Sequence, residues 1–133
     1  MAQPGEKPLN FIRSIPSNGA TNVSRSLRTM TLVFDKNVID DSVWANNQKQ
    51  IVVFKGITQL HKASDYRVTR INTSSQRRNI YIKFLHSLAP NTKYKVAIYP
   101  DLISKAGETL GKTVLISFTT SGNGSIIIEP VQE

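Results

Sequence analysis

His61 and His86 are the chain's only histidines, and histidine is the side chain that most often serves as a general base near neutral pH. Such a base needs a positioned nucleophile, and no Gly-x-Ser-x-Gly elbow lies near either residue, so both are expected to be surface or hydrogen-bonded histidines. Asp40-Asp41 is the one adjacent carboxylate pair. Paired carboxylates hydrolyse glycosides when they face each other across the scissile bond. Neighbours on a single turn point apart, and the helix-compatible run that follows suits two acids at a helix start, where they offset the macrodipole. Calcium could use Asp35, Asp40, Asp41 and Asp101 if their loops converge, since hard oxygen ligands need no strict spacing, but no Asp-x-Asp-x-Asp-Gly loop is present. The absence of cysteine removes disulfides, thiolate metal sites and thiol nucleophiles together. The expectation is a chain with no catalytic residues and no cofactor, calcium being the one ion left open.

Binding chemistry is better represented. Lys+Arg is 17 against Asp+Glu 9, a net charge of +8 whose long-range field attracts polyanions such as acidic polysaccharide, anionic wall polymer or nucleic acid. The densest basic region is Arg77-Arg78 with Arg67, Arg70 and Lys83, and Tyr81 lies beside it. A solvated hairpin tip accounts for that cluster, since loop tips are commonly polar. Nucleic acid is not expected as a partner, because no ribonucleoprotein motif, zinc knuckle or recognition-helix pattern accompanies the charge. Trp44, the sole tryptophan, could stack on a sugar, yet beside Val43 at the start of a helical run it fits an edge-packing role. Trp44, Arg77, Arg78 and Tyr81 are therefore the candidate interaction surface.

The elements that must hold these residues are short strands. A chain of 133 residues suits one domain and buries enough surface for a core without staples. Residues 1–8 are polar with two prolines and read as a tail or linker. No apolar leader region and no run of membrane-span length is present, so direct membrane insertion is not expected. Leu9 to Ile15 reads as a first strand, closed by Pro16-Ser17-Asn18-Gly19. Met30, Leu32 and Phe34 then alternate with Thr29, Thr31 and Val33, the period-2 mark of a strand with one face on a core. Asp40 to Asn47 breaks the alternation and predicts one or two helical turns bridging the sheets. Gln50 to Lys55, Ile57 to His61 and Tyr66 to Ile71 resume the strand-and-turn rhythm, and Thr73 to Asn79 is a polar hairpin loop. Ile80, Ile82 and Phe84, then Tyr94, Val96 and Ile98, then Val114, Ile116 and Phe118 repeat the alternation. Phe34, Val96, Ile98, Ile116 and Phe118 are the expected core. Residues 9–120 thus make the domain, and residues 121–133 a linker or an extra edge strand.

Leu88-Ala89-Pro90-Asn91-Thr92-Lys93-Tyr94-Lys95-Val96 is a tight corner leading into a strand that starts with a tyrosine. In immunoglobulin-like sandwiches such a tyrosine hydrogen-bonds back to the chain a few residues upstream, and Pro90 would rigidify the bend. Seven or eight short strands with turn signals every 8 to 12 residues, and no helix long enough for a βαβ crossover, predict the fold. It is an all-β, immunoglobulin-like or fibronectin type III-like two-sheet antiparallel sandwich with one short bridging helix.

Five ordered pieces sharpen this: residues 15–23 (Ile15-Pro16-Ser17-Asn18-Gly19 onward), Met30 to Val38, Leu88 to Val96, Ala106-Gly107-Glu108-Thr109-Leu110, and Ser117-Phe118-Thr119-Thr120. Together they resemble the SbsA-type bacterial immunoglobulin-like domain, a module found in tandem in surface-layer and other envelope proteins. The resemblance implies a non-catalytic spacer or adhesive module of a bacterial cell-surface or secreted protein, extracellular or in the envelope, as a mature or excised fragment. Its partners would be neighbouring domains of the parent protein. The alternative is a carbohydrate or anionic wall-polymer binding domain that uses the basic surface. The family's loop before the last strand often carries Asp where this chain has Ser104-Lys105-Ala106-Gly107-Glu108, which weakens a calcium role. Copper-binding periplasmic sandwiches share the first turn, but His61, His86, Met1 and Met30 are too dispersed for their metal.

Overall fold

Alternation of apolar and polar side chains decides which face of a strand turns inward, and in the computed structural model, which describes residues 8–122, it does so in the longer strands. The strands are β1 (Phe11–Ile15), β2 (Ala20–Val23), β3 (Thr29–Phe34), β4 (Ile51–Lys55), β5 (Thr58–Gln59), β6 (Tyr66–Thr69), β7 (Asn79–Phe84), β8 (Lys93–Ile98) and β9 (Val114–Thr120). A helix, α1 (Asp41–Lys49), joins β3 to β4, and a 3-10 turn (Ser74–Gln76) sits in the β6–β7 hairpin. One sheet has the order β1-β3-β7-β6 and the other β2-β9-β8-β4-β5. Met30, Leu32 and Phe34 from β3 and Ile80, Ile82 and Phe84 from β7 meet Val96, Ile98, Ile116 and Phe118 from the facing sheet, all buried. The five core residues expected from sequence are each no more than 1% exposed. Burying side chains of this size contributes about 1.5–3 kcal/mol each.

The expected sandwich is present, with two refinements. Among the described residues it has nine strands rather than seven or eight, because Ala20–Val23 pairs at a sheet edge although it shows no alternation of its own. It is also not wholly antiparallel: β2 runs parallel to β9, with Ala20 opposite Phe118 and Val23 opposite Thr120. Gly19 makes the transfer between sheets possible. Its φ of +85° lets the chain leave β1 and turn so that its N–H donates to Ser117 O at 2.7 Å.

The bridging helix starts as its acids suggest. Asp40 is the N-cap and accepts the Ser42 N–H at 3.0 Å, Asp41 lies in the first turn and Lys49 in the last. The extra edge strand or linker expected beyond Gly122, and the tail up to Lys7, lie outside the described residues.

Candidate functional site

At the β7–β8 corner the Tyr94 hydroxyl accepts the Ala89 N–H at 2.8 Å. Its ring stacks on Phe118 with centroids 5.5 Å apart, and Phe84 meets both rings edge-on. Pro90 is exposed on the outside of the bend, and its carbonyl accepts the Thr92 hydroxyl at 2.7 Å. Buried Thr120 closes the corner from the last strand, taking the Thr92 N–H at 2.9 Å and donating to Ala89 O at 2.5 Å. Arg25 completes it through Nε, which donates to Leu88 O at 2.9 Å. These bonds engage the corner's polar groups with one another.

A concavity of about 370 Å³ opens beside it, with Arg25, Asp65 and His86 at its rim and Leu88 and Tyr94 below. His86 Nε2 lies 2.8 Å from the Ser64 carbonyl, to which it donates, and the Asp65 carboxylate accepts the His61 N–H at 2.8 Å. Both groups are held by loop backbone rather than by each other, which is not the base-and-orienter geometry of a catalytic pair. Asp35 is taken by Asn10, through its N–H at 2.9 Å and its side-chain amide at 3.0 Å. Although partial burial opposes ionisation, these bonds hold the Asp35 carboxyl below the ordinary range. The Ser42 hydroxyl and N–H likewise depress Asp40. Among the described residues no three His, Asp or Glu side chains converge as metal ligands, so Asp35, Asp40, Asp41 and Asp101 do not come together.

The basic region separates into two parts. Arg77 and Arg78 are exposed in the hairpin loop, Arg77 folding back to donate to Ser74 O at 2.7 Å. Tyr81 is half-buried, its hydroxyl engaged by Gln76 and by the Asn79 amide. Arg67 and Lys83 are brought opposite each other by the β6–β7 register, both exposed on the outer face of the four-stranded sheet. Trp44 is no open stacking platform. It packs against the core, and the Arg70 guanidinium lies over its ring at 5.3 Å. That guanidinium is itself fixed, donating to Ile39 O at 2.6 Å and pairing with Asp41 at 2.7 Å.

Three polar anchors have no sequence motif. Asn47, Glu108 and Thr120 are all buried, and each binds groups distant in sequence or across a loop. The available signal was weak: asparagine is a poor helix-interior residue, and its presence inside a helix hints at a side chain with other work.

A family model described as a bacterial Ig-like domain matches residues 5–120. The fold is similar to the N-terminal part of the bacterial S-layer protein SbsC, at 15% identity over 86% of this chain and 24% of that one, with a TM-score of 0.55. It is similar to CopC from Methylosinus trichosporium OB3b, at 11% identity over 90% of this chain and 99% of that one, TM-score 0.56. It is also similar to an L,D-transpeptidase from Mycobacterium smegmatis, at 15% identity over 86% of this chain and 41% of that one, TM-score 0.56. Likeness at these identities concerns the fold alone, and the chain spans about a quarter of the S-layer fragment. No curated protein sequence matches the chain.

Proposed function

The chain belongs to the bacterial Ig-like domain family, and on that footing we propose that it works as a non-catalytic, force-bearing module of a bacterial cell-surface or secreted protein. The observation that supports this reading most directly is the parallel pairing of β2 with β9. Tension across residues 8 and 122 passes first through β1, paired antiparallel to β3, and then draws the start of β2 and the end of β9 apart along a common axis. The bonds between them are then loaded together in shear rather than one after another. Gly19 N–H to Ser117 O at 2.7 Å, Ser117 N–H to Asn18 Oδ1 at 2.9 Å and Ser121 N–H to Val23 O at 2.9 Å form this clamp. The S-layer protein among the structural neighbours accords with a place in the envelope. Stretching single molecules held at the two ends tests the reading. A discrete unfolding peak, lowered in Asn18→Ala, is expected, whereas smooth extension without a peak rejects it.

A second reading adds anionic wall polymer as a ligand. It is favoured by the charge layout: none of the nine strands contains Asp or Glu, so neither sheet neutralises its own lysines and arginines.

A further inference from the structure

Arg67 on β6 and Lys83 on β7 are direct cross-strand neighbours. Like charges placed opposite one another destabilise an antiparallel pair. Among the described residues no carboxylate comes within ion-pair distance of either, since the three ion pairs use Lys36, Arg70 and Lys105. The fold therefore carries a repulsion that an external anion would relieve.

The surface beside this pair is hollowed. Thr29, Thr69, Arg70, Tyr81 and Lys83 border a concavity of about 300 Å³ on the outer face of the four-stranded sheet. Arg70 at its edge is already engaged, donating to Ile39 O, pairing with Asp41 at 2.7 Å and lying over the face of Trp44. Thr29 and Thr69 flank Lys83 and Tyr81 from the two adjoining strands and bring hydroxyls to the same hollow. Arg13, exposed on β1 and facing the same way through its register with Val33, extends the positive track across the sheet.

We propose that this hollow binds one repeat of a linear, oxyanion-bearing carbohydrate or polyol polymer. The anion lies between Arg67 and Lys83, at the edge of the hollow that Lys83 lines, and polymer hydroxyls meet Thr29 and Thr69. This assignment rests on the second reading above and gives it a location. Guanidinium and ammonium groups recognise the oxygens of a phosphodiester or a carboxylate alike. Nucleic acid fits less well, because base stacking calls for several open aromatic faces and the hollow has only Tyr81, tethered through its hydroxyl.

The test measures equilibrium binding of poly(glycerol phosphate) and of polygalacturonate to the full chain at low and high salt. A single-stranded oligonucleotide of matched charge is the competitor class. Arg67→Gln/Lys83→Gln is compared with Lys93→Gln/Lys95→Gln, which removes the same charge from the exposed face of β8 on the other sheet. The expected result is a loss of roughly tenfold for the first pair and less than about twofold for the second, with a shallower salt dependence only for the first. Thermal midpoints not below that of the parent chain establish that both variants fold. Whichever polymer binds more tightly identifies phosphate or carboxylate as the anion. Equal losses for the two pairs overturn the hollow as the site while leaving polymer binding by net charge in place. Absence of binding to either polymer at low salt overturns both, and oligonucleotide binding as tight as the polymers' overturns the carbohydrate assignment.

Discussion

Asn47 holds Ile103 by both of its backbone polar groups, accepting the Ile103 N–H at 3.0 Å and donating to the Ile103 carbonyl at 2.8 Å. The same amide also donates to Val38 O at 2.8 Å and accepts from Asn46 Nδ2 at 3.0 Å. All four bonds are made by a side chain with no exposure. A single helical residue thereby ties α1 to the segment after β3 and to the loop between β8 and β9. The side chain acts as a short piece of strand where the chain supplies none.

Replacing this amide tests its weight. Asn47→Leu is close in volume but strands two carbonyls and one N–H, and should destabilise the fold by about 2–4 kcal/mol on the cost of unsatisfied buried groups. Chemical denaturation measures it, and a loss well under 1 kcal/mol, roughly one ordinary hydrogen bond, would show that the loops find other partners.

The corner gives a second prediction. Tyr94→Phe keeps the stacking on Phe118 and removes only the acceptor of the Ala89 N–H. A destabilisation of about 0.5–3 kcal/mol is expected, and an unchanged denaturation midpoint would rule out a stabilising role for the hydroxyl.

Acid stability supplies a third. Asp35 has a folded pKa below its ordinary value of 3.8, despite the opposing effect of burial, because Asn10 bonds its charged form. A lowered folded pKa means that the unfolded chain binds the proton more readily. The stability this group supplies is full above the unfolded value and is lost as pH falls through the folded one. Asp40 acts in the same direction through Ser42. Thermal midpoints of the parent chain should therefore fall as pH drops below about 4, and less steeply in Asp35→Asn. Identical slopes would mean that the Asn10 contact does not discriminate between the charged and neutral acid.

Much of the architecture is legible in the sequence. The inward positions of β3, β7, β8 and β9 follow from alternation, and the helix start follows from Asp40 and Asp41. The short strand β2 is not legible in the sequence, because an edge strand of four residues borrows its conformation from a neighbour's free hydrogen-bonding groups. Among the candidate surface residues, sequence proximity grouped Arg77, Arg78 and Tyr81. The fold divides the wider basic region that the sequence grouped with them, pairing Arg67 with Lys83 and setting Arg70 on Trp44.

The chain by itself determined what is local: strand faces from a period of two, the turn at Gly19, the helix cap, and a surplus of positive charge. Tertiary structure alone decided which strands became neighbours, and with them the parallel clamp of β2 on β9, the opposed cations on β6 and β7, and the buried anchor at Asn47. The division has a physical cause. Backbone preference and amphipathic pattern act over a few residues, whereas register and cross-sheet contact exist only once distant segments have closed on one core.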